Sequence, residues 1–374
     1  MNLKLRLGLL AGFLLIGASQ ANATLYTFTD LGTLGRTASS ATAINNAGQV
    51  AGNSYTAGQY DLHPTLWNGT TATELRTLGG DRGYTVAINN AGQVVGTSHT
   101  AGDAASHATL WNGTTATDLG TLGGFYSAAL GINNAGTVVG LAYTAGNANH
   151  YATLWNGNTA TNLGTLSGVG SSYAAAINNA GQVVGYSYTA GNAVVHATLW
   201  NGTKATDLGT LGGTYSFANA INDAGQVVGN SNTAGDAASH ATLWSGTTVT
   251  DLGTLGGAYS NANANAINNA GQVVGTSYTA GRATSRATLW NVTTATDINS
   301  FLSASEISAG WVLQLANGIN DNGSIVGQAY NTKTGALNAF LLAPSAVPEP
   351  GSSVMLLTGL VLMGFVACRR RKTR

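Results

Sequence analysis

A ten-residue phrase of the form "AINNAGQVVG" recurs seven times and constrains the fold of this chain more than any other feature. Its isoleucine lies at intervals of 44 to 46 residues, with 52 before the last, at Ile44, Ile88, Ile132, Ile177, Ile221, Ile267 and Ile319. Such a period is typical of solenoids, arrays and propellers, and it is close to the length of a four-stranded propeller blade. We therefore expect one architecture and not several domains.

Each repeat contains four segments with the composition of short β-strands. They follow the patterns "AxAIN", "QVVGxSYT", "HATLW" and "TATDLGTL", and Gly and Asn separate them. "NNAG" is expected to form the turn between the first two strands, and "NG" a tight turn between the last two. No segment between the two ends of the chain has a helical pattern, so the repeats predict an all-β domain.

The two ends of the repeat array complement each other. The seventh repeat stops after its third strand, "NAFLLAPS", whereas "LYTFTDLGTLG" at residues 25–35 is a fourth strand with no repeat before it. Joining them completes a seventh blade and removes the exposed edges of an open array. We therefore predict a seven-bladed β-propeller, residues 24–346, closed by the N-terminal strand. The alternative is an open β-solenoid of seven repeats, which would need polar caps at both ends.

The first 23 residues have the pattern of a secretory signal peptide. Lys4 and Arg6 precede the apolar run "LGLLAGFLLIGA", and Ala21 and Ala23 form a small-x-small cleavage site. The apolar run is short for a membrane span. We expect export by the Sec machinery and removal of residues 1–23.

A second targeting segment occupies residues 347–374. Residues 347–351 contain Pro348, Glu349 and Pro350, residues 352–368 carry no charge, and residues 369–374 contain the basic cluster Arg369, Arg370, Arg371 and Lys372. The uncharged part predicts a transmembrane helix of marginal length, and the basic cluster would hold its end in the cytoplasm. From the residues alone, two alternatives remain: a permanent C-terminal anchor and a sorting signal that is cut.

The order of Pro-Glu-Pro, apolar helix and terminal arginine cluster resembles the PEP-CTERM sorting tail of Gram-negative bacteria. The resemblance implies recognition by an exosortase in the inner membrane and a transient single-pass anchor. It further implies transfer to the cell surface or the extracellular matrix, commonly alongside exopolysaccharide. The repeats resemble the HAF repeats of bacterial extracellular proteins, although Thr replaces Phe in most units. That second resemblance implies an extracellular location and no particular activity.

A basic residue precedes an acid by eleven positions in most repeats. The pairs are His63 with Glu74, His107 with Asp118, His196 with Asp207, His240 with Asp251 and Arg286 with Asp297. The third repeat has the neutral pair Tyr151 and Asn162, and closure of the ring would pair Asn338 with Asp30. If Asn112 and Gly113 form the two-residue turn, His107 lies directly opposite Asp118.

These pairs are better explained by architecture than by chemistry. No repeat supplies a distinctive Ser or Cys nucleophile for a catalytic triad. Equivalent positions in neighbouring blades would lie too far apart to share a zinc ion, whose ligands bind at about 2.0 to 2.1 Å. We interpret the pairs as structural cross-strand contacts, and we predict no catalytic residue, no metal site and no cofactor.

The longer, more variable connections are expected on the face of the ring opposite the "NNAG" and "NG" turns. They carry or adjoin Tyr84, Tyr126, Tyr173, Tyr215 and Tyr259, and the adjoining strand ends carry Tyr55, Tyr143, Tyr188 and Tyr278. Amphipathic aromatic rings on loops above a rigid scaffold suit contact with sugar rings. The alternative is that these tyrosines pack between blades.

Charge and cysteine content narrow the function classes. The leader and tail hold seven of the 14 Lys and Arg residues and only one acid, which leaves the repeats acidic and argues against a nucleic-acid partner. The single cysteine, Cys368, lies in the tail, so no disulfide is expected in the exported domain. Together these features favour a non-enzymatic structural or polysaccharide-binding surface protein. A secreted propeller enzyme acting on polysaccharide is the alternative.

Overall fold

The computed structural model describes residues 26–56, 62–189, 194–256, 261–280 and 284–345. The predicted signal peptide with its cleavage residues Ala21 and Ala23, the sorting tail and Tyr259 lie outside these residues. Within the described part the fold is all-β, with 28 strands and one short α-helix, α1 (Ala304–Ser308). Single 3-10 turns occur at Ala101–Asp103, Ala234–Asp236 and Ile298–Phe301. No described helix is long and apolar enough to cross a membrane.

The first strand, β1 (Tyr26–Asp30), is followed by six units of four consecutive antiparallel strands. Unit 1 comprises β2 (Gly35–Ile44), β3 (Val50–Thr56), β4 (Leu62–Asn68) and β5 (Thr71–Glu74). Unit 2 comprises β6 (Gly79–Ile88), β7 (Val94–Thr100), β8 (Ser106–Asn112) and β9 (Thr115–Asp118). Unit 3 comprises β10 (Gly123–Ile132), β11 (Val138–Thr144), β12 (His150–Asn156) and β13 (Thr159–Asn162).

The later units repeat this arrangement. Unit 4 comprises β14 (Ser172–Ile177), β15 (Gln182–Tyr188), β16 (Val195–Asn201) and β17 (Lys204–Asp207). Unit 5 comprises β18 (Gly212–Ile221), β19 (Val227–Thr233), β20 (Ser239–Ser245) and β21 (Thr248–Asp251). Unit 6 comprises β22 (Ala262–Ile267), β23 (Val273–Tyr278), β24 (Ser285–Asn291) and β25 (Thr294–Asp297).

Unit 7 combines the two ends of the described chain. Its first three strands are β26 (Trp311–Ile319), β27 (Ile325–Asn331) and β28 (Leu337–Pro344). Its fourth is β1, which pairs antiparallel with β28 so that Tyr26 lies opposite Pro344 and Asp30 opposite Phe340. The N-terminal strand therefore occupies the outer position that the seventh repeat lacks.

Hydrogen bonds join the seven units in cyclic order. The Asn after each repeat isoleucine is buried, and its Nδ2 donates to the backbone oxygen of the equivalent Asn in the next unit. Asn320 of unit 7 donates to Asn45 of unit 1 at 3.0 Å, which completes the circuit. No sheet in the described part closes on itself. The fold is β-propeller-like, with several sheets around a ring. Single parallel bridges join units 7 and 1, and units 2 and 3, into eight-stranded sheets.

The hydrophobic core lies between adjacent units. The next-to-last residue of the third strand in units 1 to 6 is a tryptophan that is at most 2% exposed: Trp67, Trp111, Trp155, Trp200, Trp244 and Trp290. Trp155 of unit 3 belongs to one cluster with Val95 and Ala108 of unit 2. Since each unit buries its apolar face against the next, no unit is expected to be stable alone.

The hairpin between the third and fourth strands differs in register from the one expected. Gly113 is the first of the two loop residues and not the second, so Asp118 lies opposite Thr109 and not opposite His107. Gly113 has a φ of 59°, and a glycine at the first loop position is the pattern of a type II′ turn. Because the shift is two residues, Asp118 stays on the same face of the hairpin as His107.

Candidate functional site

The structure brings the members of each basic and acidic pair together. A histidine Nδ1 lies 2.7 Å from a carboxylate oxygen in four pairs: His63 with Glu74, His107 with Asp118, His196 with Asp207, and His240 with Asp251. Nε of Arg286 lies 3.7 Å from Oδ2 of Asp297. In unit 7, Nδ2 of Asn338 donates to both carboxylate oxygens of Asp30 at 2.9 Å.

The acid of the pair also holds the chain that leaves the fourth strand. Oδ1 of Asp251 accepts a hydrogen bond from the backbone N–H of Gly253 at 2.8 Å. The same contact is made by Asp30, Asp118, Asn162 and Asp207. Burial alone would raise the pKa of Asp251, but the hydrogen bonds from His240 and Gly253, together with the imidazole charge, lower it. Asp118, Asp207 and Asp251 thus each contact both the histidine of the third strand and the backbone that follows the fourth.

The tyrosines predicted for the long-loop face have different environments. Tyr215 is 39% exposed, whereas Tyr84, Tyr126 and Tyr173 are half-buried. Tyr173 stacks on Tyr186 with 4.7 Å between ring centroids, and burial raises the pKa of Tyr173 to about 12. Tyr173 is therefore a packed, neutral ring. Among the described tyrosines, Tyr215 is exposed and Tyr173 is packed, so each of the two alternatives applies to some of them.

Unit 3 displays four aromatic rings in contact, which we call the aromatic cluster: Phe125, Tyr126, Tyr143 and His150. The Tyr143 ring lies 6.2 Å from Phe125, 5.7 Å from Tyr126 and 5.2 Å from His150, centroid to centroid. Phe125 is 57% exposed, and its N–H donates to Oδ1 of Asn147 at 3.0 Å. Burial lowers the pKa of His150, which favours its neutral imidazole.

Sequence reasoning placed two members of this cluster, Tyr126 and Tyr143, on the long-loop face and identified neither Phe125 nor His150. The signal that could have identified Phe125 is its departure from the repeat. Phe125 occupies the position of Asp81 and Thr214, and its loop contact to Asn147 corresponds to their contacts with Asp103 and Asp236. His150 joins because β12 places it opposite Tyr143.

The inner strands of the seven units surround a cavity of about 360 Å3, which we call the axial channel. It is lined by the residue two positions before each repeat isoleucine: Thr42, Val86, Leu130, Ala175, Asn219, Asn265 and Asn317. A second cavity of about 550 Å3, the amide pocket, lies at the long-loop ends of units 5 to 7 and shares Asn265 and Asn317 with the channel. No charged side chain is among the described residues that line either cavity.

The "NNAG" turns surround a smaller cavity of about 170 Å3 at the other end of the channel. The second Asn of each turn, or the Asp in its place, accepts at Oδ1 from the backbone N–H of the preceding unit's equivalent residue. Burial alone would raise the pKa of Asp321, but hydrogen bonds from Asn269 and Asn46 lower it. The sequence predicted these residues as turns only. In the described part, no three His, Cys, Asp or Glu side chains converge as a metal site requires.

Residues 346–372 match the family model described as the PEP-CTERM protein-sorting motif. The chain carries a PEP-CTERM sorting tail. The match confirms the prediction made from Pro348, Glu349, Pro350 and the basic cluster, and it implies export to the cell surface with processing by an exosortase in the membrane. No curated protein matches the chain.

Three solved structures resemble the chain in fold, each at 9% sequence identity. TolB from Acinetobacter baumannii has a TM-score of 0.44, with 80% of each chain covered. A gluconolactonase from Xanthomonas campestris has a TM-score of 0.42, covering 87% of this chain and 93% of its own. A Trypanosoma rangeli sialidase has a TM-score of 0.41, covering 90% of this chain and 60% of its own.

Proposed function

We propose that this protein is an exported, exosortase-processed component of the bacterial cell surface or extracellular matrix that binds polysaccharide without catalysis. Residues 1–23 act as the signal peptide, residues 24–346 form a seven-bladed propeller closed by the N-terminal strand, and residues 347–374 form the sorting tail, with its transmembrane helix at 352–368. The sorting motif supports the destination. The HAF resemblance of the repeats agrees with it and stays a prediction.

The aromatic cluster of unit 3 is the observation that supports polysaccharide binding. A pyranose ring has an apolar C–H face and hydroxyl edges, so it stacks on an exposed aromatic ring that has polar neighbours. Phe125 offers an exposed face, Tyr126 and Tyr143 add hydroxyl groups, and Asn147 holds the loop through the N–H of Phe125. Loops on a rigid scaffold are where binding residues are generally found.

The test measures retention of the mature protein in native gels that contain the host's exopolysaccharide. We expect the double variant Phe125→Ala/Tyr143→Ala to bind about tenfold more weakly, since aromatic stacking contributes about 0.5 to 1.5 kcal/mol per pair beyond area. Ile307→Ala, which removes an exposed apolar side chain outside the cluster, is the control and should retain binding. Equal retention of the double variant and the wild type would refute the proposal. Release of new reducing ends from the polymer would instead support the enzyme alternative.

A further inference from the structure

The residues that line the axial channel vary in an ordered way around the ring. The repeat isoleucine and the Asn after it are the same in all seven units, but the residue two positions before the isoleucine is not. Units 2 to 4 place Val86, Leu130 and Ala175 there, and units 5 to 7 place Asn219, Asn265 and Asn317. Because the units follow one another around a ring, the channel has an apolar arc facing an amide arc.

The amides of this arc have fixed orientations. Nδ2 of Asn219, Asn265 and Asn317 donates to a backbone oxygen of the next unit, at 2.9, 2.9 and 2.8 Å. A backbone oxygen can only accept, so the nitrogen is identified by its partner. Oδ1 of Asn265 accepts from Asn263 at 2.7 Å, whereas Oδ1 of Asn219 and of Asn317 accepts no hydrogen bond from the described residues. These two oxygens are therefore acceptors available to a ligand.

A purely structural role does not explain the arc. The three amides bond to carbonyl groups of Ala264, Ala316 and Ala41, each at or beside a β-bulge of an inner strand. Units 3 to 5 have the same bulge, and the preceding units have Val86, Leu130 and Ala175 at the position equivalent to the amides. The fold thus forms the bulge in units 3 to 5 without an asparagine beside it. Formation of the bulge therefore does not explain why Asn219, Asn265 and Asn317 occupy this position.

We propose that the amide arc and the amide pocket bind an uncharged sugar residue. Its hydroxyls donate to Oδ1 of Asn219 and Asn317, and its C–H face packs on the apolar arc. Ser239, Thr276 and Tyr278 line the pocket and supply hydroxyls that both donate and accept. Because no charged side chain is among the described residues that line either cavity, an ionised ligand would find no partner among them, which is unfavourable. The proposal rests on the proposed function only in taking a glycan as the ligand.

The experiment uses the mature protein and saturation-transfer NMR with the methyl glycosides of glucose, galactose, mannose and N-acetylglucosamine, and with glucuronate. We expect at least one neutral glycoside to bind with a millimolar dissociation constant and glucuronate to bind at least tenfold more weakly. Asn219→Leu/Asn317→Leu should weaken neutral binding at least tenfold. Leucine is a suitable replacement because Leu130 occupies the same position in unit 3. Thermal unfolding of the variant checks that the ring is intact, and the single variants replace the double one if it is not.

Phe125→Ala separates this site from the aromatic cluster, since it should lower polymer retention and keep the glycoside binding that the leucine variants lose. If the wild type binds a neutral glycoside but is not retained by the polymer, the proposed function is refuted and the channel proposal stands. Binding of none of the four glycosides, equal binding of glucuronate, or unchanged binding in the leucine variants would overturn the channel proposal. Preferential binding of a neutral dipeptide amide would also overturn it.

Discussion

At the turn between the third and fourth strands, unit 6 replaces a recurrent glycine with Val292. Val292 has a φ of 58°, as do the glycines of units 1 to 5 within 3°: Gly69, Gly113, Gly157, Gly202 and Gly246. A left-handed conformation costs an L-residue about 1 to 2 kcal/mol, and a β-branched side chain makes it rarer still. Val292 is 75% exposed, so packing offsets little of this cost.

We therefore expect Val292→Gly to raise the free energy of unfolding by about 1 kcal/mol, after the greater entropy of glycine in the unfolded chain is taken into account. Gly202→Val is the reciprocal control and should lower stability by a similar amount. A Cβ at Gly202 would meet no atom within 4 Å, so its cost is conformational and not steric. Urea unfolding measures both, and a destabilised Val292→Gly variant would contradict the argument.

The pair of His240 and Asp251 gives the domain a pH dependence of known sign. The pKa of Asp251 is lower in the folded protein because His240 and the N–H of Gly253 donate to its carboxylate, despite the opposing effect of burial. A depressed folded pKa means that the ionised carboxylate stabilises the fold above the unfolded pKa of about 3.9. That contribution is lost as the pH falls through the lower, folded value.

Asp251→Asn should therefore lower the free energy of unfolding at pH 7 by less than about 1 kcal/mol, since the carboxylate is 43% exposed and screened by solvent. The difference from wild type should shrink as the pH falls below about 3.9. Urea unfolding at both pH values measures it, with the exposed Asp81→Asn as the control. A difference that grows in acid would show that the pair does not stabilise the fold.

The residue contacts of the pairs were predictable because their spacing in sequence is regular. The amide arc was readable in part, since the position two residues before each repeat isoleucine varies as Thr, Val, Leu, Ala, Asn, Asn, Asn in an otherwise similar phrase. What the sequence does not contain is the direction of each amide. That direction follows from the backbone oxygen of the next unit, which only the folded ring brings near.

At the scale of the strand, the glycine of "VVG" lies on the second strand of each unit, where that strand passes the β-bulge of the first strand. A Cβ added at Gly229 would lie 1.9 Å from the backbone oxygen of Phe217, and the register between β18 and β19 shifts between Ala218 and Ala220. No real Cβ contact is that short, so the strands would have to separate. The repeated glycine is thus a requirement for close strand approach.

Gly229→Ala is expected to destabilise the domain by about 3 kcal/mol or more, because a backbone atom cannot move away as a side chain can. Gly246→Ala is the control, since its cost is only that of a positive φ, and a Cβ there meets no atom within 4 Å. Urea midpoints of the two variants give the comparison. Similar destabilisation in both would show that the bulge contact relaxes.

The number and order of strands were predictable from composition and turns, but their register was not. "NG" marked the hairpin correctly, yet Asn112 pairs with Thr115 and the loop is Gly113 and Thr114. The choice between the two registers depends on which residue takes a positive φ, and Asn and Gly both tolerate it. The bulges between Ala41 and Ala43 and at equivalent positions also have no signal in the alternation of side chains.

For the whole molecule, β1 contributes more than its five residues suggest. Phe28 lies 5.3 Å from Trp311 and 6.4 Å from Phe340, centroid to centroid, and Tyr26 stacks 4.6 Å from Phe301. Deletion of residues 26–30 removes these contacts and leaves β28 as an open edge. Because each unit packs on the next, we expect the entire ring to unfold at lower denaturant in one cooperative transition.

A circular permutant is the matched control for this deletion. It joins Pro344 to Tyr26 through a short Gly/Ser linker, since the two residues are Cα partners in the β1 and β28 pair, and it opens the chain at Gly102. It keeps β1 beside β28 and should remain folded. Hydrogen exchange of the deletion variant gives the contrary outcome. If only unit 7 lost amide protection and the other six units kept theirs, an open array would describe the molecule better than a ring.

The pairing of β1 with β28 also determines when the protein can complete its fold during secretion. Asp30 and Asn338 are 308 positions apart, so a chain that crosses a membrane from its amino end presents its first strand long before the partner arrives. Until then β1 is an unpaired strand and the ring is open, a form that extracellular proteases cleave readily. The protein therefore becomes resistant to proteolysis only when translocation is complete. A stalled or truncated chain stays open and remains susceptible to proteases.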